Sequence, residues 1–292
     1  VGLTQPARPG TAGAAFTESV LAWGAPRLRD LPWRRTRDPW AILVSEVMLQ
    51  QTQVPRVIPK YLAFLDAFPT PSTCATATLA DVLRLWQGLG YPRRARNLHA
   101  AATAVVAAGA FPCTLHELLA LPGVGPYTAR AVLAFAFEAE AAVVDTNIAR
   151  VYARVVGRRL TAREVQAVAD AHAPVGEWWA WNQSIMELGA TVCRPAPNCG
   201  ECPVAGACAW LASGGHDPAI GSAGVSGTQA RFDGSDRQAR GALMKALAGA
   251  PVPRADVPAV VGRSPEVSAR VLAGLIADGL VVATDTHLHL PS

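Results

Sequence analysis

From Glu18 to about Trp210 the apolar residues recur at helical spacing, and no run alternates as a half-buried strand would. Ala41, Ile42, Val44, Val47, Met48 and Leu49 mark one helix, and Leu79, Val82, Leu83 and Leu85 a second that stops at the Gly88–Gly90 turn. Ala95 to Val105, Leu115 to Leu119, Thr128 to Phe137 and Asn147 to Val156 continue the pattern between short Gly/Pro-punctuated turns. The body is therefore predicted to be all-α. With 292 residues, 51% of them apolar and 16% charged, the chain can bury a core, which excludes global disorder and suits one or two domains.

The first 15 residues, rich in Gly, Ala, Pro and Thr, are expected to be a disordered tail without the apolar stretch of a signal peptide. The helical body is assigned to 16–211. Residues 212–232 carry five glycines and three serines and are predicted to be a linker. Residues 233–292 give a helix over Asp236–Leu247, a short one over Pro253–Val261 and a third capped by Ser264-Pro265 and ended at Gly279. A hairpin around Thr284-Asp285-Thr286 follows. That pattern resembles a winged-helix module, and the sequence leaves open whether it binds DNA or docks protein. No apolar run reaches membrane-spanning length, so no membrane partner is expected.

Four of the six cysteines, Cys193, Cys199, Cys202 and Cys208, fall within 16 residues as Cys-x5-Cys-x2-Cys-x5-Cys. A disulfide framework would spread them through a short secreted chain, so this loop is read as metal-ligating in a reducing, cytoplasmic setting. The spacing by itself serves either a [4Fe–4S] cluster or a structural zinc.

Three further segments carry chemistry. In Leu121-Pro-Gly-Val-Gly-Pro-Tyr127, Gly123 and Gly125 precede a new helix, where exposed backbone N–H groups suit a phosphate oxygen. Glu46 lies in the otherwise almost wholly apolar helix of Trp40–Leu49. A carboxyl buried there is costly, and low dielectric raises its pKa as a general acid at neutral pH requires. Asp145 stands where the Asn147–Val156 helix begins, as an N-cap does.

Ser45-Glu-Val-Met-Leu-Gln-Gln-Thr-Gln53 closely resembles the signature of the MutY adenine glycosylases, within the endonuclease III/helix–hairpin–helix superfamily. Leu31-Pro-Trp-Arg34, Gly88-Leu-Gly-Tyr91, Arg94-Ala-Arg-Asn-Leu98, the glycine hairpin, Asp145-Thr-Asn147 and Asn182-Gln…Met-Glu-Leu-Gly189 resemble the family's other motifs, in family order. The resemblance spans residues 18–210 and implies a two-lobed helical glycosylase body, with a helix–hairpin–helix at 115–137 and an iron–sulfur loop at 193–208. The family's first cysteine gap is six residues rather than five, and its catalytic segment is Asp-Gly-Asn where this chain has Thr146.

The resemblance implies an activity: release of adenine mispaired with 8-oxoguanine, or with guanine, from double-stranded DNA, by a monomer carrying a [4Fe–4S] cluster. Glu46 would protonate the adenine ring. Asp145, hydrogen-bonded by Tyr127 and held ionised by Asn147 and the helix start, would stabilise the oxocarbenium-like sugar or trap it covalently. Gln51 would fill the gap left by the flipped base. Thr52 and Leu89 would contact the opposing base, and Tyr91 would insert beside it. Arg29, Trp33, Arg34 and Glu187 would line the adenine pocket. The family's usual lesion-reading domain, resembling the Nudix fold, is larger than the 60 residues after 232.

The 26 basic residues against 22 acidic ones permit an anionic partner. Only Lys60 and Lys245 are lysines; the rest are arginines, read as phosphate contacts. Relatives that also nick the strand carry a Schiff-base lysine in the hairpin, where this chain has Tyr127. A monofunctional glycosylase is therefore expected. The rivals are a T:G or U:G glycosylase on the same body and a non-catalytic iron–sulfur DNA-binding protein.

Overall fold

The structure is a computed structural model that describes residues 11–225 and 231–292. Among them lie fifteen α-helices: α1 (Thr11–Gly24), α2 (Pro39–Leu49), α3 (Val54–Ala67), α4 (Pro71–Thr76), α5 (Leu79–Leu85), α6 (Arg93–Ala108), α7 (Leu115–Leu119), α8 (Pro126–Ala136), α9 (Thr146–Val156), α10 (Ala162–His172), α11 (Trp178–Thr191), α12 (Ala209–Ser213), α13 (Asp236–Gly249), α14 (Val257–Val261) and α15 (Pro265–Ala277). The strands of the described residues all lie after residue 250: β1 (Val252–Pro253), β2 (Val282–Ala283) and β3 (His287–His289).

The described residues form two compact units, one from 11–39 and 125–225, the other from 40–124 and 231–292. In the first, Phe16 and Val20 of α1, Ile148, Val151 and Tyr152 of α9, Val165 and Ala169 of α10, and Trp181, Ile185 and Leu188 of α11 share one core. α9 starts where the Asp145 side chain accepts from the N–H groups of Asn147 and Ile148, and stops at left-handed Gly157. Helices α9 and α11 approach closely at Gly189, where an added Cβ would lie 2.8 Å from both the Cβ and the carbonyl oxygen of Asn147.

In the second unit α2 is buried from Trp40 to Met48, as a helix apolar nearly all round requires. The indole of Trp40 donates to the Phe68 carbonyl (2.9 Å), and Phe64 meets Phe68 and Trp86 edge-on. The C-terminal helices α13, α14 and α15 pack on one another, and α13 also packs on α5. The three strands form an antiparallel sheet in the order β1-β3-β2, pairing Val252 with Leu288 and Val282 with His289.

Three expectations on organisation need revision. Residues 1–10 of the expected tail lie outside the described residues, but 11–15 already belong to α1. Of the expected linker, 226–230 lie outside the described residues, whereas the part before them is a strap fastened to the body. Asp217 pairs with Arg154 (2.7 Å), the Ser222 hydroxyl accepts from the N–H of Leu160 (3.1 Å), and Ala223 N–H donates to the Leu160 carbonyl (2.9 Å). Strand β1 was not foreseen, because two residues ending in proline carry no alternation to read. Among the described residues, no helix is long and apolar enough to cross a membrane.

The glycine contacts give a test of this packing. Gly189→Ala should cost about 1–3 kcal/mol, because backbone atoms of α9 stand in the way. Gly241→Ala on α13, with nothing within 4 Å of the new methyl, should be neutral or stabilising by about 1 kcal/mol. Thermal unfolding of the two variants should move the midpoint in opposite directions. A Gly189→Ala protein as stable as the parent would contradict the α9–α11 contact.

Candidate active site and cysteine-lined cavity

Within the first unit, the chain leaving residue 143 is held for Asp145 by Asn182. The Asn182 amide accepts from the Val143 N–H (2.8 Å) and donates to the carbonyls of Ala141 (2.9 Å) and Trp178 (2.8 Å). Asp145 then takes three donors: the N–H groups of Asn147 (2.9 Å) and Ile148 (2.7 Å) on one oxygen, and the Asn147 side-chain amide (2.8 Å) on the other. Burial pushes the Asp145 carboxyl above its ordinary value, and these donors and the nearby Arg150 charge pull against it. Burial is the largest of these influences. Thr146, in place of the family's glycine, is the first residue of α9 and is not among the positive-φ residues, so its side chain brings no strain.

Asn147 is itself oriented. Its side-chain amide oxygen accepts from Arg150 (2.8 Å), and Arg150 donates onward to the backbone carbonyls of Gly189 (2.7 Å) and Cys193 (2.7 Å). Tyr127, the second residue of α8, is half-buried. Glu187 is almost completely buried and receives Arg29 (2.5 Å) and Arg34 (2.7 Å). Arg34 also donates to the Gln183 amide (2.7 Å) and to the Arg29 carbonyl (2.9 Å), and burial lowers its pKa. Trp33 is buried in the adjoining turn. Arg29, Arg34 and Glu187 thus form one partly buried ion-pair network, which also takes in Gln183, a residue the sequence reading quoted but did not single out.

The four clustered cysteines line one cavity, together with Val151, Leu188, Val204, Trp210 and Arg154. Arg154 is about 1% exposed and holds the loop by its carbonyls, donating to Arg194 (2.7 Å) and Pro195 (3.0 Å). Its guanidinium also lies 3.4 Å from the Cys193 sulfur. Burial raises the thiol pKa of Cys193 and Cys202. Among the described residues, no three His, Cys, Asp or Glu side chains are gathered as a site for one metal ion.

In the second unit Glu46 is 4% exposed at the centre of α2. The end of α2 and the loop after it hang on Arg94, a residue that sequence reasoning placed in a motif and gave no role. One of its nitrogens donates to the carbonyls of Val47 (2.8 Å), Met48 (3.0 Å) and Gln50 (2.6 Å). The other donates to Thr52 Oγ1 (3.1 Å) and to the carbonyls of Leu89 (3.0 Å) and Gly90 (3.1 Å). Burial brings the Arg94 pKa down to about 10.

Two residues on these loops sit in left-handed backbone, Gln51 at φ 54° and Tyr91 at φ 48°. Non-glycine residues held there store strain, and such strain gathers at functional positions. Gln51 is exposed and Tyr91 is 37% exposed. Leu89, expected at the DNA, has a buried side chain (3% exposed), so its contribution to this surface is the carbonyl that Arg94 and Thr52 share. In the hairpin, Gly123 has φ 76°, and an added Cβ would lie 2.7 Å from that of Asn97, so the turn admits only glycine. Gly125 is the N-cap of α8, with Pro126 at its first turn.

The profile of the HhH-GPD superfamily base excision DNA repair proteins matches residues 44–174. The chain is 42% identical over 275 residues to the adenine DNA glycosylase of Mycolicibacterium smegmatis, covering 91% of this chain and 92% of that protein. It is 40% identical over 232 residues to the human adenine DNA glycosylase, covering 73% of this chain and 42% of the human protein. Among solved structures, a thermostable thymine-DNA glycosylase superposes with a TM-score of 0.66 at 29% identity, covering 69% of this chain and 97% of its own. Endonuclease III trapped covalently on DNA gives 0.60 at 24% identity, a likeness of fold, over 69% of this chain and 97% of its own. With a buried glutamate in the matched helix, a capped aspartate and the glycine hairpin in place, the chain belongs to the adenine DNA glycosylases of the HhH-GPD superfamily.

Proposed function

We propose that this glycosylase removes adenine mispaired with 8-oxoguanine, or with guanine, by hydrolysing its N-glycosidic bond without cutting the strand. The observation that carries the reading is the pair of carboxyls in contrasting surroundings: Glu46 sealed inside an apolar helix, Asp145 fixed by three N–H donors. Adenine leaves easily only when its ring is protonated, and its departure puts positive charge on the sugar. Glu46, buried as a general acid must be to hold a proton near neutrality, supplies that proton. Asp145, its oxygens directed by backbone and Asn147 amides, faces the developing charge. Tyr127 adds a hydrogen bond to Asp145, and Trp33, with the Arg29–Arg34–Glu187 network, shapes the base pocket.

DNA is gripped at the hairpin, where Gly123 and Gly125 leave the backbone open to a phosphate. Gln51, Thr52 and Tyr91 meet the duplex on the strained loops that Arg94 fastens. The cysteines Cys193, Cys199, Cys202 and Cys208 would hold a [4Fe–4S] cluster. Four thiols lining one cavity whose other walls are mostly apolar side chains could each bind one iron of such a cluster. The cluster would be a structural clamp for the loop. A monomer in the cytoplasm suffices for this chemistry.

Three outcomes follow. On duplexes carrying A opposite 8-oxoguanine, A opposite G, T opposite G and U opposite G, release should be confined to the adenine pairs. Glu46→Gln should lower it by at least about 100-fold. Base loss from T:G or U:G would replace this reading.

The acid limb of kcat/KM should lie above the ordinary aspartate range, because burial raises Asp145 and its working form is the carboxylate, lost as pH falls through that raised value. Asn147→Ala removes a donor that lowers the value, so the limb should move to higher pH. A pH–rate profile unchanged by that substitution would contradict the assignment.

Borohydride trapping should yield no efficient protein–DNA adduct. Tyr127 offers no amine, and Lys60 is engaged with the Leu85 carbonyl (3.5 Å).

A further inference from the structure

The C-terminal segment fastens to one stretch of its unit, residues 80–96, the stretch that contains the Gly88–Tyr91 loop. Pro291 accepts from the Ala80 N–H (2.9 Å), and the Gln87 amide donates to the Met244 carbonyl (3.4 Å). Asp278, at the end of α15, gathers arginines from both sides. Its carbonyl takes Arg96, and its carboxylate takes Arg240 from α13 and Arg93 from α6. Between these anchors the Arg237 guanidinium of α13 donates to the phenol oxygen of Tyr91 (2.9 Å).

Tyr91 is held from two directions. Its backbone is left-handed, Arg94 lies 5.5 Å from its ring centroid, and Arg237 fixes its tip. A tyrosine so held presents its ring with little rotamer freedom left to lose on meeting a base. We infer that Arg237, carried by the C-terminal unit, is a specificity-determining residue that positions Tyr91 against the purine opposite the excised adenine. The unit thereby takes part in reading that purine through the Tyr91 hydroxyl. This rests on the proposed role of Tyr91 at the mispair. A flexible tyrosine could stack on either purine; a fixed one favours the purine whose position matches it.

The test measures kcat/KM on A opposite 8-oxoguanine and on A opposite guanine for four full-length proteins: the parent, Arg237→Ala, Tyr91→Phe and the double variant. Binding to both duplexes with a 2′-fluoro adenosine at the target, which resists cleavage, is measured beside it. Thermal unfolding confirms that each variant folds. Loss of a hydrogen bond to a charged donor should reduce the preference for the 8-oxoguanine duplex by about tenfold in either single variant. The double variant should lose no more than a single one, because both remove the same contact. Equal losses on the two duplexes, single losses that add, or a parent that does not discriminate would overturn the inference while leaving the glycosylase reading intact. A parent that releases adenine from neither duplex would overturn both.

Discussion

A helix must end, and its last carbonyls then need donors. At three places where this chain leaves a helix, an arginine from another helix supplies them. Arg94 of α6 takes the closing carbonyls of α2, at Val47 and Met48, and goes on to Gln50. Arg150 and Arg154 of α9 do the same for the end of α11 and the cysteine loop, at Gly189, Cys193, Arg194 and Pro195. Arg96 takes the Asp278 carbonyl where α15 stops. A planar fork with five donors can serve several carbonyls at once in one geometry, which a lysine ammonium on a flexible stem does not.

This constraint changes the meaning of the basic composition. The preference for arginine over lysine reads in sequence as a set of phosphate contacts, yet Arg34, Arg94, Arg150 and Arg154 are largely withdrawn from solvent and engaged with the protein's own carbonyls and carboxylates. The positive charge available to DNA is accordingly smaller than a count of arginines suggests. The same pairing explains the mistaken linker. Asp217 lies 63 residues from its partner Arg154, and nothing in a local run of Gly, Ser and Pro announces a partner at that distance. Local signals were dependable where the cause is local. The apolar period placed the helices, Gly123 marked a turn that a side chain would block, and Asp145 capped the helix it precedes. The roles of Arg94 and Arg237 depend on tertiary contact and carry no local pattern.

The two proposed catalytic carboxyls also differ in how far sequence could describe them. For Glu46, an apolar helix turned out to be a buried one, and the proposed role rests on that burial. For Asp145 the N-cap position was readable, but the balance at the carboxyl was not. Helix-start donors lower its pKa and burial raises it, and only the folded surroundings show burial to be the larger effect. An aspartate poised in this way responds to small changes in its donors.

Those donors are fixed from some distance. The Asn147 amide that meets Asp145 is oriented by Arg150, and Arg150 is fixed by the carbonyls of Gly189 and Cys193. Cys193 opens the loop whose first gap is one residue shorter than the family pattern. A hydrogen-bonded path therefore runs from the loop's first cysteine to the aspartate. Gly189 admits the close approach of α9 and α11 on which the path depends. Beyond Cys193, the Asn198 N–H returns to the Val192 carbonyl (3.0 Å) and closes the loop onto the end of α11. Cys193, whose carbonyl Arg150 reads, is itself tied to α11 through its N–H, which donates to the Leu188 carbonyl (2.8 Å). The position that Cys193 dictates to Arg150, and through Asn147 to Asp145, is therefore set from α11.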